Sequence, residues 1–592
     1  MNGAVLLSLA AGAFLAGYFL YAKLIERKLG IDPSRPTPAH TKKDGVDFIP
    51  AHPTVLFGHH FAAIAGAGPI VGPVLACQFG WASVALWIVF GCIFIGAAHD
   101  MISLFLSIRH GGESIGSVIG TVLGRPGKIL FLLFSWSALV LVVAEFTRQI
   151  AGTFVVDPSI ATASLLFIGE AILFGICVNR LKMGVLVASL VFVPLMFAFV
   201  WIGGLIPLDL FPLFGDGFTA AGYAAALKSG TVTPALAAAA TKVGFVWTVV
   251  LLVYCFFAST CPVWILLQPR DYLNAYLLYA MMGLGFLGVF VAHPPLTTDA
   301  FTSFTLSNPV GGASMLFPFL FVTVACGACS GFHALVASGT SAKQLDNEKS
   351  TRPIAYGGML LEGVLAIIAL VGVAGTFASQ SDYVAAIRSF GPVQVFASTI
   401  AGFCVKIGIP QRVAESFMLL SVSAFLMTSV DAGTRLARFS WQELVGSEKV
   451  KSESEKVEKS EGIGFRGVLH NMYFGTTIVV LLAAGLLLGA PKTAKQLWTL
   501  FASANQLLAA LTLLAATLWF LKNHRPWWMT ALPMAFMMAV SSLALGTLCW
   551  KSFSGETIDW VRGGATGFLL ALAVALAVFG VKAVFGGRRD GE

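Results

Sequence analysis

Long apolar runs are the feature of this sequence that most restricts its fold. They recur along nearly the whole chain, and each has about the 20 residues that a helix needs to cross a bilayer. Glycine, proline and charged residues separate them. We predict fifteen membrane-spanning helices, approximately at residues 4–22, 55–80, 81–108, 128–152, 162–179, 184–206, 243–268, 272–292, 313–338, 354–377, 411–434, 468–489, 496–521, 527–550 and 565–585. The chain is therefore predicted to be an all-α integral membrane protein with the lipid bilayer as a partner.

Composition supports this class against a soluble one. Hydrophobic residues make up 57% of the chain and charged residues only 11%, whereas soluble domains carry roughly 25% charged residues. The formal net charge is +8. In a membrane protein such an excess is typical of basic cytoplasmic loops, so we expect no nucleic-acid partner.

The distribution of basic residues predicts the orientation. No basic residue precedes the first apolar run, and Lys23, Arg27 and Lys28 follow it. When the runs cross alternately, 27 of the 37 lysines and arginines fall on one side and 10 on the other. Because basic residues concentrate in cytoplasmic loops, we expect the N-terminus outside and the C-terminus in the cytoplasm.

A charged segment divides the chain. Residues 448–461 alternate glutamate, lysine and serine, a composition that cannot form a packed core. We therefore expect a first span with a cytoplasmic loop at residues 1–50, a core at 51–438, a cytoplasmic linker at 439–467, and four further membrane helices at 468–592.

Two apolar runs contain sequences that break helices at membrane depth. Residues 66–73 read GAGPIVGP, with three glycines and two prolines, which interrupt a helix. A weaker break, ASTCP, follows five runs later at residues 258–262. Breaks at the first and sixth positions of a core are typical of two inverted five-helix repeats with a substrate site near the midplane. The alternative is a pair of ordinary proline kinks.

Four stretches closely resemble the carbon starvation protein A family. They are residues 56–69 (LFGHHFAAIAGAGP), 99–101 (HDM) with 107–109 (SIR), 325–334 (ACGACSGFHA) with 338–340 (SGT), and 428–435 (TSVDAGTR). The matches extend over residues 50–440, and the apolar C-terminal block fits the family's second conserved region. The resemblance implies a multi-pass secondary transporter of the cytoplasmic (inner) membrane, of the amino acid–polyamine–organocation type. Members are associated with uptake of pyruvate or short peptides in the carbon starvation response.

Breaks and resemblance together predict a LeuT-like core of ten helices in two inverted repeats, with discontinuous first and sixth core helices. Free amides and the positive end of a half-helix dipole favour an anionic substrate group. The residues that we predict to contact substrate are His59, His60, Gly66, Ala67, Gly68, Pro69, Gly72, Ser259, Thr260 and Cys261. The two histidines point about 100° apart on a helix, so we expect only one of them to face the cavity.

A second set of polar residues is predicted to act in coupling or gating. Ionisable groups within membrane spans are functional candidates by default, since a carboxylate at the bilayer centre costs about 2.5–3.5 kcal/mol on insertion scales. This set contains His99, Asp100, Ser330, His333, Asp431 and Arg435. Structural pairing is the alternative for the carboxylates. We expect Glu145 and Arg148, three residues apart in one span, to form a local ion pair.

Three functions are compatible with these residues. Proton-coupled pyruvate uptake is the first, because histidines titrate near neutral pH, and sodium coupling is not excluded. Uptake of di- or tripeptides is the second. The third is an intramembrane metalloenzyme, since histidine and carboxylate side chains bind zinc or iron, but no spacing places two ligands on one helical face. We therefore expect a transporter with no enzymatic activity, no metal and no cofactor. No nucleotide-binding motif is present.

Overall fold

The computed structural model describes residues 1–44, 48–262, 264–307, 309–446, 465–494, 496–555 and 558–586. Within these ranges the chain is helical and forms no β-strand. The first thirteen α-helices are α1 (Gly3–Ala16), α2 (Ala22–Leu29), α3 (Pro38–Thr41), α4 (Pro53–Ile64), α5 (Gly68–Ala76), α6 (Trp81–Phe90), α7 (Ala97–Arg109), α8 (Ile115–Val156), α9 (Pro158–Asn179), α10 (Val185–Leu205), α11 (Ala220–Ser229), α12 (Pro234–Thr260) and α13 (Leu267–Ala292).

Eleven more α-helices follow in the described residues. They are α14 (Leu316–Thr323), α15 (Gly331–Gly339), α16 (Gly357–Ala374), α17 (Gln380–Val405), α18 (Gln411–Val445), α19 (Phe465–His470), α20 (Met472–Leu488), α21 (Pro491–Ala494), α22 (Leu497–Lys522), α23 (Trp528–Ser554) and α24 (Trp560–Gly586). π-Helical turns at Gly17–Tyr21 and Gly91–Gly96 join α1 to α2 and α6 to α7, and a third at Arg352–Tyr356 leads into α16.

Local sequence explains where the spans begin. The side chains of Ser114, Asp157 and Thr233 precede α8, α9 and α12 and accept hydrogen bonds from amides of their first turns. Proline follows Asp157 and Thr233 at the first helical position, where its missing N–H costs nothing. These caps satisfy amides that the helix itself leaves free.

Contacts between the helix ends define two faces of the molecule. At the first face, the amide of Gly3 donates to Pro294 at 2.8 Å and the amide of Thr297 donates to Ala374 at 2.9 Å. At the second face, Arg109 pairs with Glu348 at 2.9 Å. Among the described residues, thirteen helices are long and apolar enough to cross a membrane, and the bent pair α4–α5 makes a fourteenth candidate. The all-helical membrane class is confirmed.

Helix α17 is apolar and long enough to cross a membrane, yet it begins and ends at the first face. Its Ile400 and Phe403 pack against Gly372 and Gly288, near the ends of α16 and α13 at that face. Glu443, close to the end of α18, contacts Ser117 at the second face. Helix α18 therefore makes the whole crossing, and α17 lies over the first face. The fifteen predicted spans omit this helix.

The packing of the helices follows an inverted-repeat pattern. The broken pair α4–α5 packs on α14–α15, and α6–α7 pack on α16. The long helices α8 and α18 form the most extensive pair, while α12 packs on α20. Helix α13 packs on α4 in one repeat as α22 packs on α15 in the other. Helices α20 and α22, from the C-terminal block, thus pack within the core, and α9 with α10 forms an additional hairpin.

The second break lies elsewhere than predicted. Helix α12 continues unbroken to Thr260, so residues 258–262 end a span instead of interrupting one. The interruption falls at residues 324–330, between α14 and α15. Glycine makes this close approach possible, because a Cβ at Gly331 would collide with backbone atoms of Asn505 and Ala509 on α22. Pro262 acts only as the stop signal after a complete helix.

The first residues of the predicted linker, 439–445, belong to helix α18. Helix α18 runs to Val445, and residues 447–464, which include the alternating charged sequence, lie outside the described residues.

Candidate functional site

The first break bends the chain by 45° between α4 and α5. The amide of Ala65 donates to Phe61 at 2.9 Å and that of Gly66 donates to Ile64 at 2.8 Å. For the amides of Ala67 and Gly68, the described part of the chain provides no hydrogen-bond acceptor. These amides stand at the N-terminus of α5, where the helix dipole is positive. Geometry and dipole here suit an anionic group.

The walls of this break come from two other helices, α8 and α18, and from the second break. A Cβ built on Gly66 would lie 2.6 Å from the Ser429 hydroxyl and 3.6 Å from the ring of Phe146. One built on Gly68 would collide with the side chain of Cys326. The Ser429 hydroxyl is buried and has no hydrogen-bond partner among the described residues. Glycine is required at both positions because neighbouring atoms occupy the space of a side chain.

A cluster of histidines and carboxylates joins α7, α15 and α16. Asp100 accepts hydrogen bonds through both oxygens, from His99 Nδ1 at 2.8 Å and from His333 Nδ1 at 2.7 Å. His333 Nε2 lies 3.3 Å from Glu362 Oε2. All four side chains have 0% exposure. Four ionisable groups in one dry site can hold different numbers of protons.

The two adjacent histidines of α4 face different surroundings. His60 is fully buried, and its Nδ1 lies 2.7 Å from the Ser341 hydroxyl. Its ring faces Gly358 of α16, which places it beside the buried cluster. His59 is 15% exposed, and its Nδ1 lies 3.5 Å from Asp271 on α13. The structure thus brings His60, and not His59, next to His99, Asp100 and His333.

Ser330 belongs to the second break. The Asn505 amide donates to its hydroxyl at 3.0 Å, and the Asn505 oxygen accepts the amide of Phe332 at 2.8 Å. Asn505 on α22 therefore caps the N-terminus of α15. The half-helix end at the second break thus has a protein partner, whereas the described residues provide none for the end at α5.

Asp431 has its closest partners on other helices. It forms a buried ion pair with Arg270 of α13 and accepts a 2.7 Å hydrogen bond from the Tyr254 hydroxyl. Arg435 donates to the carbonyls of Ala258 at 3.0 Å and Cys261 at 2.6 Å. These contacts tie α12, α13 and α18 together.

Ser259, Thr260 and Cys261 lie at the C-terminal end of α12. Arg438 donates to the Ser259 carbonyl at 2.8 Å, and the Ser259 hydroxyl lies 3.3 Å from that of Thr476. The structure does not bring these residues to the first break. Their contact with substrate stays a prediction.

Pro69 and Gly72 lie in α5, after the first break. Pro69 is the second residue of α5, and Gly72 touches the second break, since a Cβ there would lie 2.7 Å from the Thr323 carbonyl. Arg148 binds Glu145 with two hydrogen bonds, at 2.6 and 2.9 Å, so the predicted local ion pair is confirmed.

The motifs missed Glu362, Arg270, Asp271 and Asn505. Glu362 could have been found from the sequence, because it is a carboxylate within the apolar run at 354–377. Arg270 and Asp271 fall between two predicted spans and therefore looked like loop residues. Asn505 is an uncharged residue in the first third of a span, where its sequence context gives no signal.

A cavity of about 370 Å³ opens at the second face, below the two breaks. It lies between α8, α15 and α18, and its wall includes serines and two lysines: Ser114, Ser117, Ser135, Ser338, Ser440, Lys42 and Lys343. Leu335 and Leu436 also line it. A second cavity, of about 320 Å³, lies at the first face beside α17.

No set of three or more histidine, cysteine, aspartate or glutamate side chains arranged to hold a metal ion occurs within the described ranges.

Comparison with known proteins decides the family. The sequence matches the family described as "Carbon starvation protein CstA" over residues 2–389 and 373–544. The chain belongs to the CstA family. The "Peptide transporter CstA" of Campylobacter jejuni is 32% identical over 89% of this chain and 78% of that relative. The "Pyruvate/proton symporter BtsT" of Escherichia coli K12 is 32% identical over 91% of this chain and 80% of that relative.

These relatives are transporters and not enzymes, and the CstA family assignment makes this chain a multi-pass membrane transporter. Among solved structures, MhsT in complex with L-phenylalanine is similar at a TM-score of 0.43 and 11% identity, over 90% of this chain and 98% of that one.

Proposed function

We propose that the protein takes up a small carboxylate together with protons, and that pyruvate is its substrate. The observation that carries the proposal is the buried cluster of His99, Asp100, His333 and Glu362. Ionisable groups inside a membrane protein are costly and mark ion or substrate pathways. A cluster that joins α7, α15 and α16 can bind a proton and change how those helices pack.

The substrate carboxylate binds at the first break. The amides of Ala67 and Gly68 and the hydroxyl of Ser429, which have no partner among the described residues, supply the donors. The positive end of α5 adds to the attraction. Gly66, Pro69 and Gly72 keep the backbone open to such a ligand. His60 links this site to the cluster, because it lies one turn before the break and beside α16.

Three further sets of contacts belong to gating. His59 and Asp271 join the first half of the broken helix to α13. Asp431 and Arg435 hold α18 against α12 and α13. Ser330, bonded to Asn505, fixes the second break. The group formed by α4–α7 and α14–α16 then rocks against α8 and α18 around the midplane site, as alternating access requires.

The protein lies in the cytoplasmic membrane with its N-terminus outside and its C-terminus inside. The second face carries the basic loops that the positive-inside rule assigns to the cytoplasm, including Lys42, Arg109 and Arg525. The 370 Å³ cavity at that face is then the route of substrate release.

Short peptides are the second candidate substrate. The "Peptide transporter CstA" of Escherichia coli K12 is 32% identical over 92% of this chain, the same identity as the pyruvate/proton symporter. Similarity alone therefore favours neither substrate.

The test is uptake of labelled pyruvate into proteoliposomes under an imposed proton gradient, with unlabelled dipeptides as competitors and a sodium gradient in a parallel arm. We expect accumulation driven by protons that dipeptides fail to block. Accumulation that only a sodium gradient drives would refute proton coupling. Absence of pyruvate uptake by folded protein, with proton-driven uptake of dipeptide, would assign the site to peptides.

A further inference from the structure

One carboxyl group of the buried cluster belongs to none of the sequence motifs. Glu362 lies on α16 with 0% exposure, and its ionic contact is with His333 Nε2 at 3.3 Å. Within the described residues, neither of its oxygens has a hydrogen bond. A buried carboxylate without donors is strongly disfavoured in its charged form.

Asp100 is in a different position, although it contacts the same histidine. It accepts two hydrogen bonds, from His99 and His333, at 2.8 and 2.7 Å. Charge-assisted bonds of this length stabilise an anion. Of the two carboxyl groups, Asp100 is therefore the one that stays ionised, and Glu362 is the one that changes its protonation state.

Charge balance leads to the same residue. A protonated His333 offers one N–H to each carboxyl group, and it neutralises only one of two carboxylates. If both were ionised, with His99 donating as a neutral imidazole, the site would carry a net charge of about −1 in a medium where an unpaired charge costs several kcal/mol. One further proton removes that charge, and Glu362 is the acceptor with an unfilled position.

We propose that Glu362 binds and releases the coupling proton, with His333 and Asp100 as its fixed partners. The proposal rests on the proton-coupled uptake proposed above. In the step itself, the Glu362 carboxylate accepts a proton from the outer solution and becomes a neutral carboxylic acid, then returns the proton to the cytoplasm. No other bond changes.

Several titratable groups of the described residues surround Glu362 and its cluster. They are His333 on α15, His99 and Asp100 on α7, His60 on α4, Cys92 on the turn before α7, and Cys326 and Cys329 at the second break. Among these, Asp100 is the other carboxyl group, and its two short hydrogen bonds set it apart.

The position of Glu362 also explains why proton and anion would bind together. Cys326 touches Gly68 at the first break and lies within electrostatic range of Glu362. An ionised Glu362 would therefore repel a substrate carboxylate at the α5 N-terminus across a low-dielectric site. Protonation removes this repulsion, so each ligand favours binding of the other.

The experiment compares Glu362→Gln with wild type in proteoliposomes by two assays. The first is accumulation of labelled substrate under a proton gradient. The second is exchange of labelled against unlabelled substrate with no gradient, which needs no net proton movement. We expect the variant to accumulate at least tenfold less substrate than wild type. Exchange should be retained, and it should no longer decline at high pH as wild-type exchange does. Glutamine imitates the protonated state, so position 362 stays uncharged at every pH.

Glu170→Gln is the matched control. Glu170 is also a buried membrane glutamate without a hydrogen-bond partner in the described residues, but it lies on the additional hairpin helix α9. We expect this variant to accumulate substrate as wild type does.

Three results would overturn the assignment. They are proton-driven accumulation by Glu362→Gln at the wild-type level, loss of both accumulation and exchange in a variant that elutes as folded protein, and exchange that keeps the wild-type pH profile. Failure of wild type itself to accumulate substrate with protons would be a different result, since it would remove the proposed function and this assignment together.

Discussion

Replacing Gly72 with alanine tests the close packing of the two broken helices. A Cβ at this position would lie 2.7 Å from the Thr323 carbonyl oxygen and 3.0 Å from the Val324 Cα, whereas ordinary contact begins at 3.4 Å. Both neighbours are backbone atoms at the second break, so no rotamer change relieves the overlap. The two half-helices must separate instead.

The expected size follows from this geometry. Forcing one extra methyl group into a well-packed site costs about 1–3 kcal/mol. When this cost affects only one conformation of the transporter, it changes the equilibrium constant between the two conformations by roughly 5- to 150-fold. We therefore expect Gly72→Ala to lower the midpoint of thermal unfolding in detergent and to reduce the initial rate of uptake.

The control is Gly152→Ala on α8, where a Cβ meets nothing within 4 Å. Alanine is better than glycine inside a helix by about 1 kcal/mol, so this variant should be at least as stable as wild type. The assay is size-exclusion chromatography with fluorescence detection after heating, combined with proteoliposome uptake. Equal stability and equal uptake of Gly72→Ala and Gly152→Ala would contradict the close packing of the two broken helices at Gly72.

Three other perturbations have defined outcomes. Asp100→Asn and His60→Ala should abolish proton-driven accumulation at normal expression; full accumulation by both would remove these residues from coupling. Arg270→Met and Asp431→Leu should each destabilise the protein by about 3–5 kcal/mol, because each removes the ion-pair partner of a buried charge, and the double variant should recover most of that loss in the same thermal assay; equal loss in the double variant would contradict a mutual ion pair. Ser440→Cys, at a half-buried position of the 370 Å³ cavity and in a background without reactive cysteines, should react with a membrane-impermeant thiol reagent from the cytoplasmic side and not from the outside, and the reverse would place the cavity on the outer side.

The membrane helices follow from local physics, which is why the sequence predicts them well. A run of about 20 apolar residues has no other stable state in a bilayer than a spanning helix. The glycines and prolines of residues 66–73 likewise favour an interruption, which the structure has at residues 65–67, although Gly72 and Pro73 lie within α5. Both predictions need no knowledge of neighbouring elements.

The second break shows the limit of that reasoning. The ASTCP sequence has a proline and small residues, as a break requires, yet α12 ends there only because the span is complete. Residues 324–330 contain no proline, and their interruption depends on the close approach of α22 to Gly331 and of Gly68 to Cys326. Contacts between distant segments made this break, and local composition did not reveal it.

The candidate site divides in the same way. The sequence by itself determined that His60, His99, Asp100, His333 and Glu362 lie inside the membrane, because each occurs within an apolar run. Only the tertiary structure decided that they meet, since the fold brings residue 333 within hydrogen-bond distance of residue 100 and next to residue 362. It also decided that His60 faces the cluster while its neighbour His59 turns to Asp271. The physical reason is that helix rotation and pairing depend on packing among helices far apart in the chain, whereas the choice between lipid and water depends on each segment alone.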